Sequence, residues 1–289
     1  MQDLLELVVE ARARDLGGFV VGRVLPAPAR RALGPFVFLD HMGPATFAPG
    51  QGFDVRPHPH IGLATVTSLF EGEIMHRDSL GFVQPIRPGE LNWMTAGRGI
   101  VHSERCPDAL RASGGELHGL QLWVALPQPA EECEPSFEHV EGEGLPLVDV
   151  HGVSVRVLAG EAYGAKASVR VHSRLFYAHA ELAAGQSIKL PSDYAERGAY
   201  VVSGALQYGT EAHPERRLLV FAPGRVELTA SAPTRLALLG GDPLDGARHI
   251  EWNFVSSSRE RIEQAKRDWR ERRFPTIPSD HDEFIPLPD

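Results

Sequence analysis

Apolar residues come mostly in short runs, and the runs with β-forming composition are Phe36 to Leu39, Leu63 to Phe70, Leu120 to Leu126, Ser154 to Leu158, Ala199 to Val202, Leu218 to Phe221 and Arg235 to Leu239. Turn residues punctuate them at Gly34-Pro35, Gly72, Pro88-Gly89, Gly97, Gly185, Gly204 and Pro223-Gly224. Short strands at this spacing predict a sandwich or barrel. A different period appears only late in the chain. Ile262, Ala265 and Trp269 recur at i, i+3 and i+7 behind Ser256-Ser257-Ser258, which can cap a helix. Arg270, Arg272 and Arg273 suit the dipole at its C-terminal end before Pro275 stops it.

Between Pro127 and Pro146 the pattern lapses. Four prolines accompany Glu131, Glu132, Glu134, Glu138, Glu141 and Glu143 with few apolar residues, a linker composition that divides the chain into halves of similar length. The halves read as degenerate copies. Phe70-Glu71-Gly72 answers Val202-Ser203-Gly204, and Met94-Thr95-Ala96-Gly97 answers Phe221-Ala222-Pro223-Gly224. The expected division is an N-terminal β-domain over residues 1–130, an acidic Pro-containing linker over 131–146, and a C-terminal β-domain with the helix over 147–289.

Composition narrows the function classes. Gly and Pro number 29 and 23 in 289 residues, which suits turn-rich β structure, and 43% hydrophobic with 23% charged residues is the balance of a globular protein. A net charge of −9 argues against direct nucleic-acid or anionic-membrane binding. The opening Met-Gln-Asp carries no basic segment of a signal peptide, and no apolar run reaches the ~20 residues of a membrane span. A cytoplasmic location is therefore expected. Cys106 and Cys133, the two cysteines, cannot build a disulfide framework or a thiolate metal site.

Any metal centre must then use imidazole and carboxylate, and the chain has 13 histidines. Arg56-Pro57-His58-Pro59-His60 places two imidazoles two residues apart, on one side of a strand. His102 and Glu104 repeat that spacing inside Gly97-Arg98-Gly99-Ile100-Val101-His102-Ser103-Glu104. Two such strands meeting in a barrel would gather three imidazoles and one carboxylate, a set for iron, nickel, copper or zinc and not for calcium or magnesium. The other ten histidines, His76 among them, show no comparable partner spacing and are read as surface or hydrogen-bonded core residues. Trp93 precedes the second cluster closely enough to line a pocket, and Cys106, two residues past Glu104, is a core-edge residue or a redox-sensitive thiol.

These residues resemble the pirin family. The likeness rests on His58-Pro-His60-Ile-Gly, Gly72, His76-Arg-Asp-Ser79 and Trp93-Met-Thr-Ala-Gly-Arg-Gly-Ile-Val-His102-Ser-Glu104. It starts near Arg23 and Gly34 to Pro44, runs through Leu117 to Pro127, and thins over the second half. It implies an all-β tandem cupin, two jelly-roll domains with a C-terminal helix. It implies also one divalent transition metal, iron(II) by preference with copper, nickel, zinc, cobalt or manganese as alternatives, held by His58, His60, His102 and Glu104. In general cupins a glutamate follows the HxH by four or five residues; here those positions are Ala64 and Thr65, and the carboxylate follows the late histidine as in pirins. Offsets from Gly204 and Gly224 place Leu190, Ser192, Thr229 and Ser231 at the corresponding positions of the second copy, which is expected to be metal-free.

Two functions follow from the resemblance. One is a quercetin 2,3-dioxygenase-type enzyme, taking a flavonol-like aromatic substrate and O2 and releasing carbon monoxide, with Glu104 as the base. The other is a metal- or redox-sensing regulator that binds a transcription factor or metabolic enzyme. A monomer is expected in either case. The stretch Arg259 to Arg273 carries seven basic and four acidic residues and reads as a solvated amphipathic helix docked on the β-domains.

Overall fold

The computed structural model describes residues 4–16 and 19–288. The opening Met-Gln-Asp on which the no-signal-peptide expectation rests lies outside them. Every predicted strand run falls in a strand, apart from Leu126 just past the end of Gly115–Ala125, and the late period-3.6 segment is a helix, Arg259–Arg270. Ser258 caps it, its hydroxyl accepting from Arg261 N at 3.2 Å, and Ile262, Ala265 and Trp269 form the buried stripe. Among the described residues no helix is long and apolar enough to cross a membrane.

Each half of the duplication becomes a two-sheet β-domain, so the protein is a tandem cupin. The division is not into consecutive halves. Residues 42–142 with those from 244 onward make one compact unit; those up to 41 with 143–243 make the other. The termini have exchanged. Strand Leu5–Glu10 pairs with Arg217–Phe221 in the sheet of the second copy, while the helix Arg259–Arg270 belongs to the first. Nor is 131–146 merely a linker. Ser136–Val140 is a strand paired with Leu91–Thr95, and Glu131 is buried, accepting from Ser257 N at 2.9 Å and pairing with Arg248 at 2.7 Å. A run of glutamates looks solvated in sequence because its partners, Arg248 and Ser257, lie more than a hundred residues away.

In the first unit the four-stranded sheet runs Asp54–His60, Ile100–Arg105, Ile74–Asp78, Val83–Ile86 in spatial order. Strand Ile100–Arg105 is buried on both faces, as the two-residue alternation of side chains allows. Val101, with Ile61, packs into a cluster with Phe254, Ile262, Ala265 and Trp269. Ser103 and Arg105 donate to Asp280 at 2.7 and 2.8 Å. His102 and Glu104, the alternate pair, are 1% and 4% exposed.

The second unit repeats the plan with strands Ser187–Lys189, Glu227–Ala230, Ala205–Tyr208 and Glu211–Pro214. The duplicated turn glycines match: Gly72 at φ +85 and Gly204 at φ +83, and a Cβ on either would meet a backbone oxygen at 2.2 Å. The register corrects one correspondence. Leu190 N bonds Val226 O at 3.0 Å and Ile188 pairs Leu228, much as His58 pairs His102. Val226 and Leu228, both buried, therefore stand where His102 and Glu104 stand; Thr229 and Ser231 do not. Counting along the chain fails because Val226 follows Gly224 by two residues where His102 follows Gly97 by five.

Trp269 anchors the helix, 7% exposed with its indole N–H on Ile285 O at 3.0 Å. Trp269→Ala is expected to cost about 3–5 kcal/mol, seen as a lower midpoint in thermal unfolding. Burial pushes the Asp280 carboxyl up, but hydrogen bonds from Arg105 and Ser103 outweigh it and leave the pKa below the usual carboxylate value. A depressed folded pKa contributes stability above the unfolded value of roughly 3.9, lost as pH falls through the folded one. Asp280→Asn should thus melt below wild type at pH 7, and the two curves should converge in acid.

Candidate metal centre

The ladder between Asp54–His60 and Ile100–Arg105 sets His58 opposite His102, with a bulge between His102 and Glu104. Alternation then aims His58 and His60 the same way. The three imidazoles meet, with one ligand-capable nitrogen of each within 4.8 Å of the others. All three are buried.

Their tautomers are set by the backbone. A carbonyl can only accept, so His58 Nδ1 donates to Arg56 O at 2.8 Å and His60 Nδ1 to Asn253 O at 3.0 Å. Both Nε2 atoms are left as lone pairs, the form in which imidazole ligates metal. His60 Nε2 lies 3.1 Å from His102 Nε2. His102 Nδ1 is buried without a hydrogen-bond partner, so no group outside the three imidazoles sets the tautomer of that ring. Burial holds His58 down to about 4 and His60 and His102 well below the usual imidazole value, so all three are neutral at pH 7. Three neutral imidazoles, one of them held by no hydrogen bond at its far nitrogen, fit a transition ion.

Glu104 is brought alongside but is not part of the group of converging nitrogens. Its Oε1 accepts from Gln121 Nε2 at 3.0 Å and, at 3.5 Å, from Thr67 Oγ1. Burial raises its pKa, against the lowering effects of His76, Gln121 and Thr67. Gln121 and Thr67 are directly paired on neighbouring strands, which is why both reach one carboxylate.

Other sequence readings are rearranged. Trp93 occupies the alternate face of its strand from Asn92 and Met94, which pair with Thr67 and Thr65. The indole at the centre is Trp123, edge-on to His60 at 5.1 Å between centroids. Cys106 is 8% exposed, and burial pushes its thiol pKa up, the reverse of a redox-active thiolate. His76 was passed over as unpaired, yet His76-Arg77-Asp78 has the same i, i+2 spacing as the two clusters. Its Nε2 lies 2.9 Å from Asp78 Oδ2, and its ring centroid is 5.4 Å from that of His102. The i, i+2 carboxylate was the signal that could have found it.

The family model described as Pirin matches residues 18–124, and that of the Pirin C-terminal cupin domain matches residues 177–275. A Pirin-like protein of Caulobacter vibrioides is 54% identical over 99% of this chain and 100% of its own length. The crystal structure of quercetin 2,3-dioxygenase from Acinetobacter baumannii superposes with a TM-score of 0.91 at 34% identity, covering 98% of this chain and 95% of that one. A bacterial pirin of Escherichia coli in complex with nickel(II) shares the fold, with a TM-score of 0.66 at 19% identity over 82% of this chain and 99% of that one.

Removing one of three converging imidazoles should be decisive for metal retention. His60→Ala is expected to weaken binding by at least roughly 100-fold, leaving protein dialysed after iron or nickel loading nearly metal-free by elemental analysis. Metal content equal to wild type would count against the centre.

Proposed function

Because the chain belongs to the pirin family, we propose that it is a metal-dependent dioxygenase that opens a flavonol such as quercetin at its 2,3 bond, with release of carbon monoxide. The carrying observation is the convergence of three buried imidazoles, two with tautomers fixed by backbone carbonyls, on one point inside the barrel. The likeness to a quercetin 2,3-dioxygenase at 34% identity supports the substrate class. Two free cysteines and the absence of a disulfide framework agree with a cytoplasmic place of work.

Iron(II), or nickel, copper, zinc, cobalt or manganese in its place, would supply Lewis acidity and open coordination positions when bound. His58, His60 and His102 would hold the ion, with Glu104 as fourth ligand, and Arg56 O and Asn253 O keep two of the rings in the ligating tautomer. Glu104 is also the base. Gln121 and Thr67 hold its Oε1, so Oε2 is the atom left both to face the ion and to take the proton of the flavonol 3-hydroxyl. Trp123 beside His60 offers an aromatic wall to a flat substrate.

Oxygen uptake and ultraviolet change on adding quercetin to iron-, nickel- or copper-loaded protein test the reading. Glu104→Gln should keep most of the metal and lose turnover by roughly 10²–10⁴-fold; unchanged turnover removes Glu104 as base. No turnover with any metal would favour the regulatory alternative, a metal-dependent surface for a protein partner.

A further inference from the structure

One buried polar pair beside the centre is left unused by that reaction. The ladder between Ile74–Asp78 and Ile100–Arg105 sets His76 opposite Glu104 and Asp78 opposite His102. His76 is 4% exposed and Asp78 fully buried. A buried carboxylate must have its lone pairs satisfied, and Asp78 does. Its Oδ1 accepts from Leu80 N at 2.9 Å and Phe82 N at 3.1 Å, and its Oδ2 faces His76 Nε2 at 2.9 Å. A carboxylate oxygen so placed accepts, so the ring proton of His76 lies on Nε2.

The other nitrogen, Nδ1, is then a bare lone pair with no hydrogen-bond partner among the described residues. The ring cannot drift, because it stacks on Phe137 at 4.3 Å between centroids with 9° between planes. Close to the centre, Thr67 and Gln121 both donate to Glu104. What His76 Nδ1 offers beside the three converging imidazoles is hydrogen-bond acceptance. A ligand that satisfies it must bring hydroxyl donors of its own.

We propose that His76, oriented by Asp78, is a specificity-determining residue whose Nδ1 accepts a hydrogen bond from a hydroxyl flanking the oxygen pair that the ligand presents to the metal. This selects polyhydroxylated phenols and enols over acceptor-only anions and O-methyl ethers. The inference rests on the metal centre proposed above, and it is tested without turnover.

Pyrogallol and 3-methoxycatechol share a vicinal oxygen pair for a metal and differ in whether the third oxygen carries a proton. Their dissociation constants are measured anaerobically by absorbance titration of zinc-loaded protein, so that no oxygenation intervenes. Wild type should prefer pyrogallol by about three- to tenfold, the worth of one hydrogen bond. His76→Phe can keep the stack on Phe137 but lacks the lone pair; its preference should fall to near one with zinc content unchanged. Asp78→Asn gives an independent arm. Its amide oxygen must face the Leu80 and Phe82 N–H groups, so its NH2 faces His76 Nε2 and drives the ring proton to Nδ1. There the preference should fall below that of His76→Phe, because the nitrogen has become a donor.

A structural role alone would weaken both ligands together and leave their ratio unmoved. Preference unchanged in both variants, a wild type that does not discriminate, or no pyrogallol binding at all overturns the proposal. Failure of the oxygenase reading shows separately, as absent oxygen uptake with quercetin on iron-, nickel- or copper-loaded protein.

Discussion

An imidazole has two nitrogens and, when neutral, one proton, so it can ligate only through the nitrogen that something else leaves bare. That constraint governs the centre. The carbonyls of Arg56 and Asn253 claim the Nδ1 protons of His58 and His60, and the Asp78 carboxylate claims the Nε2 proton of His76. The same device, applied at opposite ring nitrogens, leaves two histidines with a bare Nε2 and keeps the third from presenting its own. Burial adds to it by keeping the three converging imidazoles neutral. Chemistry at this site is thus decided by where protons are parked, and residues outside the ligand set do the parking.

The two copies show what happens to a cupin when that arrangement is absent. In the second unit the positions answering the ligands are Leu190, Ser192, Val226 and Leu228, none of them a metal-ligating side chain. A different polar group ties that end of the sandwich. Arg197, fully buried, donates to the carbonyls of Pro191 and Ala222 at 2.8 Å each and also to that of Gly224. A guanidinium with several carbonyl partners joins the segments after Ser187–Lys189 and before Glu227–Ala230 by hydrogen bonds from one side chain.

Local rules carried much of this from sequence. Strand periodicity found the β runs, the cap and apolar stripe found the helix, and i, i+2 spacing on two strands singled out three imidazoles that converge, His58, His60 and His102, with Glu104 alongside. These succeed because each depends on residues close in the chain. What escaped depends on distance. Glu131 reads as linker because Arg248 and Ser257 are remote; Trp123 is not marked by the sequence because only sheet pairing says which face looks inward; Val226 and Leu228 are missed because chain offsets do not carry the register. His76 is the instructive exception, since its partner Asp78 is two residues away and the spacing rule already in hand would have found it.

Asn253 is 193 residues from the histidine it orients, and Asp280 is 177 from the strand residue whose hydroxyl it binds. During synthesis the ribosome therefore delivers all three imidazoles long before it delivers the carbonyl that fixes His60 and the acid that fastens the strand of His102. A nascent chain halted near residue 240 would hold all three imidazoles and still lack the carbonyl that sets the tautomer of His60. Order at this centre is in this sense completed late, by the stretch of chain made last.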